Sequence, residues 1–169
     1  IVMAGGNEFS PCDLQAYRQN GGFLGLAQAE TMSPQQIVAQ ILDSGLRGRG
    51  GAGFPAGLKW QSAAAATGQR KFVICNADEG DPGAFMDRML LESVPFRIIE
   101  GMLIAARAIN AQQGYIFVRR EYPLAVARML EALSLCRDAG ILGSGFAIEI
   151  VEGAGAFVCG EEKIGRAHV

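Results

Sequence analysis

The sequence has few of the residues that usually form metal centres and disulfide frameworks. It contains four cysteines and one histidine among 169 residues. The cysteines are far apart and none belongs to a Cys-x-x-Cys pair, so neither a metal site nor a disulfide framework is predicted. We expect reduced thiols in a cytoplasmic protein, because cysteines in apolar surroundings such as Val73-Ile74-Cys75 behave as small buried hydrophobes.

Two further absences exclude classes of partner. With 15 Lys and Arg against 17 Asp and Glu, the net charge is −2, and the chain lacks the basic surface of a nucleic-acid-binding protein. The most apolar run, residues 102–109, is short and contains Arg107, so no membrane-spanning segment is predicted. We therefore expect no nucleic acid partner and no direct membrane insertion.

The composition that is present suits one α/β domain. Half of the residues are hydrophobic, which is enough for a core at this length. Segments with helical apolar spacing alternate with short β-forming runs, a pattern typical of an α/β fold with parallel strands. We predict helices at residues 13–18, 34–44, 58–66, 95–110 and 122–139, and strands at 71–75, 115–118 and 146–151. The first two strands are predicted to be buried, and the inner side of the last helix to carry Val126, Met129, Leu130, Leu133 and Cys136.

The most informative stretch is Gly-Leu-Arg-Gly-Arg-Gly-Gly-Ala-Gly-Phe-Pro-Ala-Gly-Leu-Lys-Trp at residues 45–60. Six of its first thirteen residues are glycines, and a backbone poor in Cβ atoms can approach a ligand closely. Consecutive N–H groups in such a loop form a concavity for anions, to which Arg47, Arg49 and Lys59 add positive charge. The loop is therefore predicted to bind a phosphate-bearing cofactor.

Two other interpretations of this glycine loop fit less well. A flexible linker would carry Ser and Thr rather than Arg, Phe, Pro, Lys and Trp. The spacing Gly48-x-Gly50-x-x-Gly53 matches the dinucleotide-binding fingerprint, but that fingerprint follows a strand and opens a helix directly. Here a predicted helix precedes the loop and Phe54-Pro55 follows it, which disfavours an ordinary Rossmann site.

An acidic loop follows the first predicted strand. Asp78, Glu79 and Asp81 lie just past the carboxyl end of that strand, where α/β proteins bind ligands. Carboxylates can accept hydrogen bonds from ribityl or ribose hydroxyls and from flavin ring N–H groups. A solvated turn is the alternative, since Asp, Pro and Gly are turn formers. The neighbouring glycine loop favours a cofactor site.

Three motifs together resemble one family. They are the glycine loop, Cys-Asn-Ala-Asp-Glu-Gly-Asp-Pro-Gly-Ala-Phe-Met-Asp-Arg at residues 75–88, and Gly-Ala-Gly-Ala-Phe-Val-Cys-Gly-Glu-Glu at residues 153–162. In this order and spacing they are similar to NADH-binding flavoprotein subunits. That family includes the FMN subunit of respiratory complex I, the diaphorase subunits of NAD(P)-linked hydrogenases and the β subunit of soluble NAD-dependent formate dehydrogenases. Residues 80–88 most resemble the formate dehydrogenase and hydrogenase branch.

The resemblance implies a role for individual residues of this chain. FMN would be held by residues of all three motifs, with Lys59 as a cation near the flavin or its phosphate: Gly48, Arg49, Gly50, Gly51, Lys59, Asn76, Asp78, Glu79, Gly160, Glu161 and Glu162. Phe54 would stack near the nicotinamide of NADH. Asp81 would lie beside the adenosine ribose, where a carboxylate repels a 2′-phosphate and favours NAD over NADP.

The resemblance also implies how the chain is organised. We expect a lead-in segment at residues 1–32, an FMN- and NADH-binding α/β domain at residues 33–162 that is incomplete on its C-terminal side, and a non-native tail at residues 163–169. The tail is expected because Ile-Gly-Arg-Ala-His-Val matches one reading frame of a common sequencing-adapter oligonucleotide. It contains the only histidine, His168, so no histidine chemistry is predicted.

The implied function is that of an oxidoreductase subunit. It would transfer a hydride between NAD(H) and FMN and pass electrons to iron–sulfur clusters, with no side chain as nucleophile or general base. The cysteines of a 4Fe-4S cluster would lie beyond residue 162, so no metal is expected in this chain. Implied partners are a thioredoxin-like 2Fe-2S subunit and the catalytic subunits of a redox complex, of the formate dehydrogenase or hydrogenase type or alternatively complex I. A non-catalytic nucleotide-binding module and an inert fragment remain open, and we expect the chain by itself to be inactive.

Overall fold

A parallel sheet of three strands, in the order β1-β2-β3, lies at the centre of the described chain. The strands are β1 (Phe72–Ala77), β2 (Gln113–Arg119) and β3 (Ala147–Gly153). The computed structural model describes residues 9–49, 52–67, 70–143 and 145–153. Both strand pairs are parallel, which confirms the predicted α/β fold.

Helices precede the sheet and connect its strands. In the described residues they are α1 (Leu14–Gln19), α2 (Leu24–Glu30), α3 (Pro34–Asp43), α4 (Ala56–Ala65), α5 (Met86–Ser93), α6 (Pro95–Ile109) and α7 (Pro123–Asp138). The five predicted helices are confirmed as α1, α3, α4, α6 and α7. The helices α2 and α5 were not predicted from the sequence.

The boundaries of α3 follow from its own sequence. The Ser33 side chain accepts a hydrogen bond from Gln36 N, and the Gln36 side chain accepts one from Ser33 N, which together form a capping box. Pro34 occupies the first helical position, where its missing N–H costs nothing. The helix stops before Gly45, whose φ of +64° is readily adopted only by glycine.

The connecting helices cover one face of the sheet. On that face Gly114, Ile116 and Val118 of β2 are buried, and the register places them beside Val73, Cys75 and Ala77 of β1. On the opposite face Phe72 and Ile74 are 47% and 57% exposed. The prediction that β1 is a buried strand is therefore wrong. The helices α6 and α7 pack on the other face of the sheet and leave Phe72 and Ile74 uncovered.

The core includes the beginning of the described chain. Tyr17 of α1 and Ala29 of α2 are buried in the same cluster as the strands, and Arg107 of α6 donates to the carbonyl oxygen of Ala29 at 2.8 Å. Residues 9–32, which the sequence analysis places in a lead-in segment, thus pack against α6. Two helices and a buried tyrosine make this segment part of the domain core.

The inner face of α7 differs in part from the prediction. Met129, Leu133 and Cys136 are buried as expected, but Leu130 is 53% exposed. Ala125 and Ala132 are fully buried in its place. Small residues allow α7 to approach its neighbours closely, and hydrophobic size alone did not identify them.

Candidate functional site

The glycine loop forms a narrow hairpin that is closed by its own hydrogen bonds. Gly48 N donates to the Phe54 carbonyl at 2.9 Å, and Ala56 N donates to the Leu46 carbonyl at 2.8 Å. The Arg47 guanidinium crosses the loop and donates from Nη1 to the Gly53 carbonyl at 2.9 Å. Arg47 therefore holds the two sides of the hairpin together rather than pointing its charge only at a ligand.

Several of the described residues of this hairpin are open to solvent. Gly48 and Arg49 are exposed, and the Phe54 ring is 53% exposed. Gly50 and Gly51, which the sequence predicts to contact the cofactor, lie outside the described residues.

Two glycines of the motif have structural roles. Gly45 ends α3 with a positive φ. Gly57 lies in α4 at the crossing with α3, where a Cβ atom would come within 2.7 Å of Leu42 N and 2.8 Å of Leu42 Cα. The glycine density of the motif thus serves a helix end and a helix crossing as well as the predicted ligand loop.

A groove between α4, α6 and β1 brings together two predicted site residues. Lys59 and Asn76 both line this groove, which has a volume of about 430 Å³. Its other walls are mostly apolar, from Trp60, Ala63, Phe72, Val73, Ile74, Ala105 and Ile109. An apolar groove with a cation and an amide at its wall suits a flat ring system that also carries polar atoms.

The acidic loop contains a carboxylate to which none of the described residues donates a hydrogen bond. Both carboxylate oxygens of Asp78 are buried, and neither accepts a hydrogen bond from the described residues. The backbone of Asp78 is fixed nonetheless, since its N–H donates to Asn76 Oδ1 at 3.1 Å. A buried carboxylate that lacks donors is costly, so unsatisfied oxygens of this kind point to a ligand that supplies them.

Glu79 is bonded through its side chain and its main chain. Its Oε1 accepts from Asp87 N at 3.0 Å and its Oε2 from Arg88 N at 3.3 Å, so its carboxylate caps the first turn of α5. Its carbonyl accepts from Arg119 Nη1 at 2.8 Å and from Tyr122 Oη at 3.3 Å. The next acidic residue, Asp81, is exposed, and its carbonyl accepts from Ala84 N at 3.1 Å.

Arg119 and Tyr122 were not among the residues predicted from the sequence. Arg119 ends β2, directly after Val118, and Val118 pairs with Ala77 of β1. Asp78 follows Ala77, so Asp78 and Arg119 leave neighbouring strands at the same edge of the sheet. The carboxyl ends of parallel strands meet at one edge of a sheet. This rule was applied to the residues after the first strand, and its application to the end of the second strand would have identified Arg119 and Tyr122.

Burial and neighbouring charges raise the pKa values of two side chains around the acidic loop. Burial raises the pKa of the Asp87 carboxyl, and the nearby Glu79 carboxylate raises it further. Burial also raises the pKa of the Tyr122 hydroxyl, with a smaller contribution from Glu79. The guanidinium carbons of Arg88 and Arg119 lie 5.7 and 5.9 Å from the centre of the Tyr122 ring, which is within cation–π distance.

The end of the third motif lies outside the described residues, and with it Gly160, Glu161 and Glu162.

In the part of the chain that is described, no three His, Cys, Asp or Glu side chains are grouped as ligands for a metal ion. No helix in that part is long and apolar enough to cross a membrane.

Comparisons with known proteins agree on one family. The model of the Nuo51 FMN-binding domain matches residues 41–164. The NADP-reducing hydrogenase subunit HndC of Solidesulfovibrio fructosivorans is 46% identical over 159 residues, which are 90% of this chain and 32% of that protein. A subunit of the NADH-quinone oxidoreductase of Rhizobium meliloti (strain 1021) is 45% identical over 157 residues, 88% of this chain and 37% of that protein.

A solved structure agrees with these sequences. A crystal structure of an NAD⁺-reducing [NiFe]-hydrogenase in the air-oxidized state matches with a TM-score of 0.74 and 34% identity. The match covers 96% of this chain and 26% of the hydrogenase chain. The chain thus spans about a third of the length of the two curated relatives and about a quarter of the solved one.

Proposed function

Because the chain belongs to the Nuo51 FMN-binding domain family, we propose that it holds FMN and NAD(H) in a larger oxidoreductase subunit. In the complete protein, the bound flavin would exchange a hydride with NAD(H) and pass electrons to iron–sulfur clusters. This activity is a proposal for the whole protein, since the chain spans only part of its relatives.

The observation that carries the proposal is the unpartnered carboxylate of Asp78. Its two buried oxygens need hydrogen-bond donors that the described residues do not supply. FMN carries a ribityl chain with several hydroxyl groups, each of which can donate one hydrogen bond. The site therefore fits this cofactor, and donation to the carboxylate would remove an energetic penalty of about 1–3 kcal/mol per unsatisfied group.

The other predicted residues can divide the remaining contacts. Gly48 and Arg49, both exposed on the hairpin, would approach the phosphate, together with Gly50 and Gly51. Lys59 and Asn76, on the wall of the groove, would face the polar edge of the flavin or its phosphate. Gly160, Glu161 and Glu162 would close the site, and Phe54 would cover the nicotinamide.

The protein contributes position and electrostatics. FMN, when bound, supplies the ability to accept a pair of electrons and release them singly. The acidic loop would orient the ribityl chain, and the apolar walls of the groove, such as Trp60 and Phe72, would exclude water from one side of the site. Glu79, which joins the loop to α5, would keep the carboxylates in place.

The identity of the complex is a finer part of the proposal. We propose a formate dehydrogenase or hydrogenase type of complex, with a thioredoxin-like 2Fe-2S subunit and catalytic subunits as partners. Similarity to the hydrogenase subunit HndC supports a hydrogenase, whereas similarity to a quinone oxidoreductase supports complex I equally well. Isolation of the native complex and identification of its subunits would distinguish these alternatives.

The flavin content of the complete protein tests the proposal. We expect the purified protein to contain noncovalent FMN and its flavin absorbance to bleach when NADH is added. Gly50→Val and Gly51→Val should abolish flavin binding, because a β-branched side chain fills space next to the backbone. Asp78→Asn should weaken binding, and Asp138→Asn, the same change at an exposed position at the end of α7, should not.

Three results would contradict the proposal in different ways. Stoichiometric flavin in Gly50→Val or Gly51→Val would mean that the glycine loop does not hold the cofactor. Bound flavin that NADH does not bleach would favour a sensing module over an oxidoreductase. A complete wild-type protein without affinity for FMN would overturn the proposed function itself.

A further inference from the structure

The acidic loop is held by two side chains near the carboxyl end of the neighbouring strand, Arg119 at the end of β2 and Tyr122 at the start of α7. The carbonyl of Glu79 accepts one hydrogen bond from Arg119 Nη1 at 2.8 Å and one from Tyr122 Oη at 3.3 Å. Arg119 and Glu79 are 40 positions apart in the chain. Two donors on one carbonyl fix the main chain at the residue directly after Asp78.

The arginine is itself fixed on a second side. Arg119 Nη2 donates to Glu121 Oε1 at 3.2 Å, and only 20% of the Arg119 side chain is exposed. Its guanidinium also lies 5.9 Å from the centre of the Tyr122 ring. An arginine fork that is held by a carboxylate, a carbonyl and an aromatic ring has little rotamer freedom, so it can act as a rigid support.

The surroundings of the Asp78 carboxylate favour its movement toward solvent. Its oxygens accept no hydrogen bond from the described residues while they are buried, and a carboxylate in that state gains free energy by turning toward water. The Arg119 charge acts electrostatically on Asp78, and the bond to Glu79 restrains the chain on its other side. Without this restraint the loop could relax and expose Asp78 to solvent.

We propose that Arg119, supported by Tyr122, is a positioning residue that holds the Asp78 carboxylate ready for the hydroxyl groups of the cofactor. This inference rests on the proposed function. Arg119 would act through the main chain of Glu79 and need not touch the flavin. The gain would be preorganisation, since a loop that is already ordered loses less entropy when the ligand binds.

A double-mutant cycle on FMN affinity tests the coupling. In the complete protein, the FMN dissociation constant would be measured for wild type, Arg119→Gln, Asp78→Asn and the double variant. We expect each single change to weaken binding about tenfold, and the double variant to be weaker than Asp78→Asn alone by less than about twofold. Arg120→Gln removes the same charge at the next, exposed position and should leave affinity unchanged.

Conservative variants separate positioning from simple loss of charge. Arg119→Lys keeps the charge and an ammonium group that can donate, but it lacks the planar fork that bonds Glu79 and Glu121 together, so we expect partial retention of affinity. Tyr122→Phe keeps the ring beside Arg119 and removes only the hydroxyl at 3.3 Å. It should weaken FMN binding less than Arg119→Gln does. If Arg119→Gln does not fold, Tyr122→Phe tests the same support of the loop.

Hydrogen exchange in the flavin-free protein provides a readout that does not depend on the cofactor. We expect Arg119→Gln to speed exchange in residues 78–88 and to leave α6 unchanged. Additive effects in the cycle, or faster exchange spread evenly over the protein, would overturn the inference. Wild-type protein that fails to bind FMN would instead refute the proposed function, and the exchange experiment would still decide whether Arg119 holds the loop.

Discussion

The Tyr17 hydroxyl donates a 2.6 Å hydrogen bond to Glu100 Oε2, and this contact joins α1 to α6. The same carboxylate accepts from Phe23 N at 3.0 Å and from Leu26 N at 3.1 Å. Glu100 thereby supplies the N-terminal cap that α2 lacks in its own sequence, where Phe23 has a left-handed conformation and makes no side-chain cap. One carboxylate therefore organises the two helices at the beginning of the described chain.

We predict that Glu100→Gln lowers the free energy of unfolding by about 1–3 kcal/mol, because hydrogen bonds to a charged group are stronger than neutral ones. Denaturation with urea, followed by circular dichroism, measures the change. Glu30→Gln makes the same substitution at an exposed position at the end of α2 and should have little effect. Equal stability of Glu100→Gln and wild type would mean that the three hydrogen bonds contribute nothing net.

Two helical glycines provide a matched pair of predictions. Gly57→Ala should destabilise the protein by about 1–3 kcal/mol, since the new Cβ would come within 2.8 Å of Leu42 backbone atoms and force α3 and α4 apart. Gly101→Ala in α6 should stabilise it by about 0.5–1 kcal/mol, because the new Cβ would meet no atom of the described residues within 4 Å apart from the neighbouring backbone of its own helix.

Thermal melts of both variants under identical conditions decide between packing and helix propensity. If Gly57→Ala stabilises the protein as Gly101→Ala does, propensity alone governs both sites and the close crossing of α3 and α4 has no energetic weight. The two variants carry the same chemical change, so the sign of the difference between their melting temperatures is informative by itself.

The raised pKa of Asp87 predicts a pH dependence. The folded protein binds its proton more tightly than the unfolded chain, whose aspartate has a pKa near 3.8. Asp87 therefore contributes most stability below that value, and the contribution falls as pH rises through the raised folded pKa. At neutral pH the charged Asp87 is partly buried and faces Glu79, which destabilises the fold.

Replacement of this carboxyl should remove the effect. We predict that the melting temperature of Asp87→Asn, relative to wild type, is higher at pH 7 than at pH 3.5. Helix-terminus electrostatics oppose this, since Asp87 lies in the first turn of α5, but such an interaction is worth only about 0.3–1 kcal/mol when exposed. A difference between variant and wild type that does not vary with pH would show that Asp87 titrates normally.

A helix whose ends are determined locally, such as α3, can be predicted from the sequence. The boundaries of α3 could be predicted because Ser33, Pro34 and Gly45 lie within or next to the helix. The start of α2 is capped by Glu100, more than seventy positions away, and the start of α5 is capped by Glu79 from the preceding loop. Caps supplied by tertiary structure leave no local pattern, and these are the two helices that were missed.

The same distinction holds for the candidate site. The glycine and acidic loops stand out by composition, so Gly48, Arg49 and Asp78 could be selected from the sequence. Arg119 and Tyr122 do not stand out by composition, because their importance depends on the pairing of β1 with β2. Gly57 was counted with the glycines of the predicted ligand loop, whereas in the structure it lies at the crossing of α3 and α4.

The choice between NAD and NADP yields a last prediction, which depends on Asp81. The relatives include a hydrogenase named as NADP-reducing and an oxidoreductase named for NADH and quinone, so family membership does not decide the cofactor. Asp81 lies at the exposed turn of the acidic loop, three positions beyond Asp78. If it faces the adenosine ribose, its carboxylate repels a 2′-phosphate, and its removal should favour NADPH.

We predict that Asp81→Asn in the complete protein raises the ratio of kcat/KM for NADPH to that for NADH by about three- to fivefold, the size expected for one screened charge at short range. At high salt the wild-type ratio should rise toward that of Asp81→Asn, because ions that reach this exposed position screen the repulsion between the carboxylate and the 2′-phosphate. Asp43→Asn, which removes an exposed carboxylate at the end of α3, should leave the ratio unchanged. An unchanged ratio in Asp81→Asn as well would mean that Asp81 is an ordinary turn residue, and that cofactor selection lies with residues outside the acidic loop.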